Sequence, residues 1–253
     1  MIWCDKMNSL KIGLASVTFR QMSAEEVVRI AKENNVPYIE WGADVHVKDV
    51  KEAESAKKIC DDSGIKISSY GSYYRVGSCK KNEWKNICEI AHRMSAESVR
   101  VWLGTSDSEK TSKEEYEKLL RDARDMCDVA SGYNLIISAE CHDNTFNNNT
   151  DAYLKFINDL QRENFRTYFQ SRYVKFEYDM DRIDRTIDHI LNVHVSYRDL
   201  IKEQRFRKKD KKYIDKILEK LISKNFDGIV MIEFTNLSSE ISFSGDVKKL
   251  RKF

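Results

Sequence analysis

Proline is almost missing from this chain: Pro37 is the only one in 253 residues. Nor is there a Pro/Gly/Ser-rich linker or a low-complexity tract, so nothing punctuates a domain boundary and one domain is expected. No apolar run approaches the roughly 18 residues that a membrane-spanning helix needs. The N-terminal MIWCDKMNSLK is too short and too polar for a signal peptide. Six cysteines (Cys4, Cys60, Cys79, Cys88, Cys127 and Cys141) are scattered without C-x-x-C spacing. They read as reduced thiols of a cytoplasmic protein. Cys60, Cys88 and Cys127 fall on apolar helix faces, where a thiol is a small core residue. A surplus of one charge is missing too: 43 Lys+Arg against 41 Asp+Glu leave +2. That removes the electrostatic case for nucleic acid or an acidic membrane surface. The one basic run, Lys202 to Lys212, also carries acids and reads as a solvated face. Finally, no G-x-G-x-x-G follows the first strand candidate, so a dinucleotide fold lacks its phosphate cradle.

What is present is alternation. After residues 1–10, an N-terminal extension, apolar runs alternate with stretches of helical period through 11–253. Strands are predicted at Lys11–Ser16, Val36–Trp41, Ile65–Tyr70, Ser98–Leu103, Leu135–Glu140, Phe165–Gln170, Leu191–Ser196 and Ile229–Phe234. Between them, Trp84, Ile87, Cys88, Ala91 and Met94 share one helix face, as do Tyr213, Ile217, Leu218, Leu221 and Ile222. Ser23 and Ser112 each precede acids in the pattern of an N-cap. Asp62-Ser63-Gly64 and Asp227-Gly228 fit turns from helix back to strand. Eight strand–helix units in this length predict a single closed α/β structure, a (β/α)8 TIM barrel, rather than an open sheet. The tail from Ser238 is short for an eighth helix, so a partner subunit in a homo-oligomer is expected on that side.

The chemistry lies where the strands stop, since the C-terminal strand ends of such a barrel form its active site. LIISAE ends at Glu140, FRTYFQ at Gln170, LNVHVS carries His194 and IVMIEF carries Glu233. Singly, each has a bland reading as a surface acid or a hydrogen-bonded core histidine. Together they place four polar side chains at one level, where Val, Ile and Leu are the usual filling. An uncompensated carboxylate there costs several kcal/mol, roughly the penalty for burying a charge, and a divalent cation would supply the compensation. Two carboxylates, an amide oxygen and an imidazole suit one Mn, Mg, Co or Zn ion.

At these residues the chain resembles the xylose isomerase-like TIM barrels, the superfamily of sugar phosphate isomerases and epimerases. The likeness runs from Lys11 to about Leu250, through YIEWGADVH (Tyr38–His46), SSYGSYYRVG (Ser68–Gly77), RVWLG (Arg100–Gly104), AECHDNT (Ala139–Thr145) and IEFT (Ile232–Thr235). It implies that Glu140 and Glu233 bind the metal and move the proton, with Gln170 and His194 completing the coordination. Gln170 departs from the pattern, because many characterised epimerases carry aspartate there. His46 and His142 match positions that often face substrate in relatives, and Arg198 stands where it could hold a hydroxyl or phosphate. Trp41, Tyr70, Tyr73 and Trp102 would offer apolar faces to a sugar.

The reading that results is a metal-dependent carbohydrate isomerase or epimerase, transferring a proton α to a carbonyl. The alternatives are dehydration of a polyol such as a keto-inositol, phosphodiester cleavage as in the AP endonucleases of this fold, and a non-catalytic sugar-binding barrel. Five histidines are few for the multinuclear zinc site that phosphodiester cleavage requires.

Overall fold

A computed structural model of the protein describes residues 10–171, 176–197 and 212–253. Eight parallel strands close into a barrel in chain order. They are β1 (Lys11–Ala15), β2 (Tyr38–Gly42), β3 (Lys66–Val76), β4 (Ser98–Leu103), β5 (Ile136–Glu140), β6 (Phe165–Gln170), β7 (Ile190–Val195) and β8 (Ile229–Ile232). The helices are α1 (Ala24–Glu33), α2 (Val50–Ser63), α3 (Lys81–Arg93), α4 (Lys113–Ser131), α5 (Thr150–Leu160), α6 (Phe176–Thr186), α7 (Tyr213–Ser223) and α8 (Glu240–Leu250). Pairing of β1 with β8 closes the ring.

The predicted strands match within a few residues. The main difference is β3, which continues past Tyr70 to Val76 because the bulge between Gly71 and Arg75 lets it stay paired with β4. Ser23 and Ser112 both form capping boxes, with Glu26 and Glu115 respectively returning a bond to the cap backbone. Gly64 ends α2 at φ 69, left-handed backbone that a residue without Cβ adopts most cheaply. At Gly228 the constraint is space: a Cβ would meet the Leu191 carbonyl oxygen at 2.1 Å.

The expected gap at the C-terminus is corrected. The tail folds into α8, which buries Phe243, Val247 and Leu250, and Phe243 meets Phe19 edge-on at 5.6 Å. Ser239 caps the helix through the Ser242 N–H. The chain thus covers its own eighth side, and the reason for expecting a partner subunit there falls away.

Most apolar side chains pack between strands and helices in one large cluster. Inside the barrel the apolar filling is small: Tyr168, Ile229 and Met231, with Tyr38 against them. Above this plug, toward the C-terminal strand ends, the interior is polar. No helix among the described residues is long and apolar enough to cross a membrane. Cys60, Cys79, Cys88 and Cys127 are free thiols. Burial raises the thiol pKa of Cys60, Cys88 and Cys127 to about 12, in keeping with inert core residues.

Candidate active site in the barrel mouth

Successive side chains of a strand face opposite sides, so a charged residue inside an apolar strand has only the barrel interior or the helix layer to enter. Glu40, Arg100, Glu140 and His194 all enter the interior, each about 2% exposed or less, and they bond to one another there. Arg100 lies at the centre. Its Nε donates to Glu40 Oε1 at 3.1 Å and its Nη1 to Glu140 Oε2 at 2.5 Å. Trp102 Nε1 donates to the same Glu140 oxygen at 2.7 Å, and Ser69 Oγ donates to Glu40 Oε2 at 2.7 Å. His194 spans the other side, with Nδ1 3.1 Å from Glu140 Oε1 and Nε2 3.2 Å from Glu40 Oε1. The Tyr168 ring packs on the imidazole, with centroids 4.3 Å apart.

Glu233, one residue beyond β8, is held by its backbone N–H to the Val195 carbonyl at 2.9 Å. Its Oε2 lies 3.5 Å from His194 Nδ1 and accepts a long 3.4 Å bond from Gln170 Nε2. Phe234 turns the chain away at φ 61, and Tyr73 across the mouth sits at φ 57. Bulky residues hold such left-handed backbone at a cost of about 1–2 kcal/mol, strain that clusters at functional sites.

The electrostatics separate the carboxylates. Burial alone would raise all three, yet the charges of Arg100 and His194 hold Glu40 at about 2. Against the same burial, Arg100 and the bonds from His194 and Trp102 hold Glu140 well below the usual carboxylate range. Glu233 is more weakly compensated: burial first, then the Glu140 and Glu40 charges, keep it raised, although His194 and Arg100 pull the other way. Burial would lower His194, but Glu233, Glu40 and Glu140 carry it to about 10.

The predicted quartet therefore comes together. Glu140, His194 and Glu233 each offer one ligand atom, all within 4.8 Å of one another. Beside them Gln170 Oε1 is buried with no hydrogen-bond partner among the described residues. The donor chemistry fits a divalent ion. Glu40, Glu140 and Glu233 against Arg100 leave two negative charges when His194 is neutral, the balance that one M²⁺ cancels.

Of the expected substrate residues, Tyr73, Trp102 and His142 adjoin the mouth. Tyr73 stands edge-on to Trp102 at 5.3 Å, and His142 is 5.2 Å from Trp102. Trp41 and Tyr70 are corrected: both are buried on the helix-layer side of their strands, alternating with inward-facing Glu40 and Ser69. Tyr70 spends its hydroxyl on the Val47 carbonyl at 2.9 Å. His46 is corrected too. Its Nδ1 meets Ser16 Oγ at 3.1 Å and its Nε2 the Met22 carbonyl at 3.0 Å, so both nitrogens tie loops together. Arg198 lies outside the described residues.

Glu40 and Arg100 escaped assignment, although both interrupt apolar runs, YIEW and SVRVWL, as Glu140 and His194 interrupt theirs. That signal would have found them. Gly71 is their accomplice: a Cβ there would stand 2.7 Å from Arg100 Nη2 and 3.4 Å from Glu40 Oε1.

The profile of the xylose isomerase-like TIM barrel family matches residues 28–251. The chain belongs to that family. A 3-dehydroshikimate dehydratase of Bacillus anthracis is 22% identical to this xylose isomerase-like barrel over 169 residues, which are 62% of this chain and 60% of the relative. The chain thus spans about three-fifths of that curated relative's length. Many solved structures share the fold. One is a probable 3-DHS dehydratase involved in petrobactin synthesis in Bacillus anthracis, with TM-score 0.76, 16% identity, and 95% of this chain and 98% of that one covered. Another is a 3-keto-D-glucoside 4-epimerase of E. coli, with TM-score 0.74, 14% identity, and 97% and 100% covered.

Proposed function

We propose that this xylose isomerase-like barrel is a divalent-metal-dependent enzyme that moves a proton α to a carbonyl of a polyhydroxylated substrate, with sugar isomerisation or epimerisation as the net reaction. The observation that carries this reading is the convergence of Glu140, His194 and Glu233 on one small volume beside the amide oxygen of Gln170, which has no partner among the described residues. Those four residues would hold the ion, and the chemistry it supplies when bound is Lewis-acid polarisation of a carbonyl.

The protein's own groups divide the remaining work. Arg100 and Trp102 occupy one oxygen of Glu140 and keep it ionised. Among the described residues Glu233 has only long polar contacts, to Gln170 and His194, and its raised pKa brings it nearer to neutral, where a carboxylate exchanges protons efficiently. Glu140 and Glu233 are the proton-moving pair, and Glu233 is the less encumbered of the two. Trp102, Tyr73 and His142 border the mouth where the substrate would lie, their rings offering an apolar face and excluding water.

Dehydration of a hydroxy-ketone is the second reading, supported by the dehydratase relative. It begins with the same α-proton abstraction and differs in losing a β-hydroxyl as water. The two separate on products. Incubation of the Mn²⁺-loaded protein with a panel of ketoses and cyclic hydroxy-ketones in D2O is read by NMR and mass spectrometry. Deuterium uptake without loss of water means isomerisation or epimerisation, and loss of water means dehydration. Glu233→Gln is expected to abolish either outcome while the fold stays intact; full exchange in that variant would sink the reading.

A further inference from the structure

Outside the catalytic cluster, one arginine near the mouth has no acid to answer it among the described residues. Arg75, at the end of β3, lies over the Trp102 ring with its Cζ 4.5 Å from the centroid. Its Nη1 donates to the Gly104 carbonyl at 2.8 Å and the Asn144 carbonyl at 3.3 Å. No carboxylate pairs with it among the described residues, whereas Arg20, Arg29, Arg93, Arg100 and Arg185 each have one. A half-buried guanidinium answered only by carbonyls is held in place without being neutralised.

Arg75 also lines a cavity of about 270 Å³ on the barrel rim, between the loops after β3 and β4 and the first turns of α4. Lys118 of α4 lines the same cavity and likewise has no ion-pair partner among the described residues. The only acid in the lining among the described residues, Glu115, directs its carboxylate to the Ser112 N–H in the capping box of α4. Thr105 and Ser106, two hydroxyl-bearing residues, are part of the lining as well. Two cations with no acid partner among the described residues, one lying across an aromatic face, around a small recess lined by Thr105 and Ser106, make a donor set that recognises a tetrahedral or planar oxyanion.

We infer that this rim cavity is an oxyanion subsite in which Arg75 and Lys118 hold a phosphate or carboxylate carried by the substrate. This rests on the proposed function for the word substrate, but the subsite itself does not. The route between the two is short: Arg75 stacks on Trp102, and Trp102 Nε1 is 2.7 Å from Glu140 Oε2. A substrate anchored by its anion at Arg75 would reach across the indole to the carboxylates. The family of substrates would then be acidic ones, and neutral sugars would bind poorly.

The test is calorimetric titration of the full-length protein with inorganic phosphate, which needs no turnover. Wild type is expected to bind it saturably. Arg75→Ala is expected to weaken binding tenfold or more and Lys118→Ala several-fold. Lys113→Ala, an equal loss of charge from an exposed position on the same helix, is expected to change nothing. Lys118 is exposed, so its removal leaves the fold intact, and Arg75→Lys separates loss of the fork from loss of charge by weakening binding less than Arg75→Ala. Absence of saturable binding, or equal losses in Lys118→Ala and Lys113→Ala, overturns the subsite. Titration with a ketohexose and with its phosphate ester addresses the source. Tighter binding of the ester than of inorganic phosphate supports a substrate-borne anion, and equal binding overturns that clause. An inert protein that binds phosphate through Arg75 would discredit the proposed function and spare the subsite.

Discussion

Replacing Arg100 with leucine tests the interior network most severely. Arg100 is 2% exposed and bonds to Glu40 and Glu140, which are equally buried. Removing it leaves three interior carboxylates facing one imidazole. Breaking a buried ion pair by deleting one partner costs about 3–5 kcal/mol. For a chain of this size each kcal/mol is worth roughly 2–4 °C, so the melting temperature of Arg100→Leu should fall by roughly 6–20 °C. The assay is thermal or urea denaturation of the metal-free protein, followed by circular dichroism. The sign of the pH dependence follows from the carboxylates. Arg100 holds Glu40 and Glu140 low, so its contribution is present above the unfolded carboxylate range and is lost as pH falls through their folded values. The deficit of the variant should therefore be large near neutrality and shrink in acid. Adding Glu40→Gln to Arg100→Leu removes one orphaned charge and should recover ~1 kcal/mol or more, a coupling expected of direct neighbours. A melting temperature within about 2 °C of wild type at neutral pH would refute the whole account, because shifts that small belong to surface changes.

Gln170→Asp should tighten Mn²⁺ binding by at least about tenfold, ~1.4 kcal/mol, because it adds a charge beside Glu233; fluorescence competition for the metal reads it, and unchanged affinity would remove Gln170 from the ligand set. Binding of M²⁺ near neutral pH should release about one proton or more, since His194 sits at about 10 without metal and Glu233 is raised. Apparent affinity should therefore climb with pH until His194 has deprotonated, which calorimetry in buffers of different ionisation heat measures. Gly71→Ala should cost about 1–3 kcal/mol as an overpacked interior site, with its Cβ at 2.7 Å from Arg100 Nη2; a melting curve overlying wild type would mean that Arg100 has room to move.

Much of the architecture was open to a reading of the residues alone, for local reasons. Strand and helix alternate at different periods, so LIISAE and YEKLLRDARDMCDVA announce themselves without knowledge of their neighbours. The caps at Ser23 and Ser112 are equally local, because each bonds only three residues onward. The same rule locates Glu140, Gln170, His194 and Glu233, whose polarity breaks an apolar run at a strand's end. What misled was orientation. Trp41 and Tyr70 lie in the right motifs, but one step of a strand's alternation separates the barrel interior from the helix layer. His46 is near the mouth, yet Ser16 and the Met22 carbonyl use up its nitrogens.

From sequence alone came the number of strands, their order, and the level at which charged groups gather, since each is written in the spacing of neighbouring residues. Closure of the ring decided the rest. It brings Glu40, Arg100, Glu140 and His194 across a shared interior from positions as much as 154 residues apart, so that the resident cation competes for the same carboxylates as any metal. No pattern along one strand carries that information, because the energy of a buried charge depends on what stands opposite it.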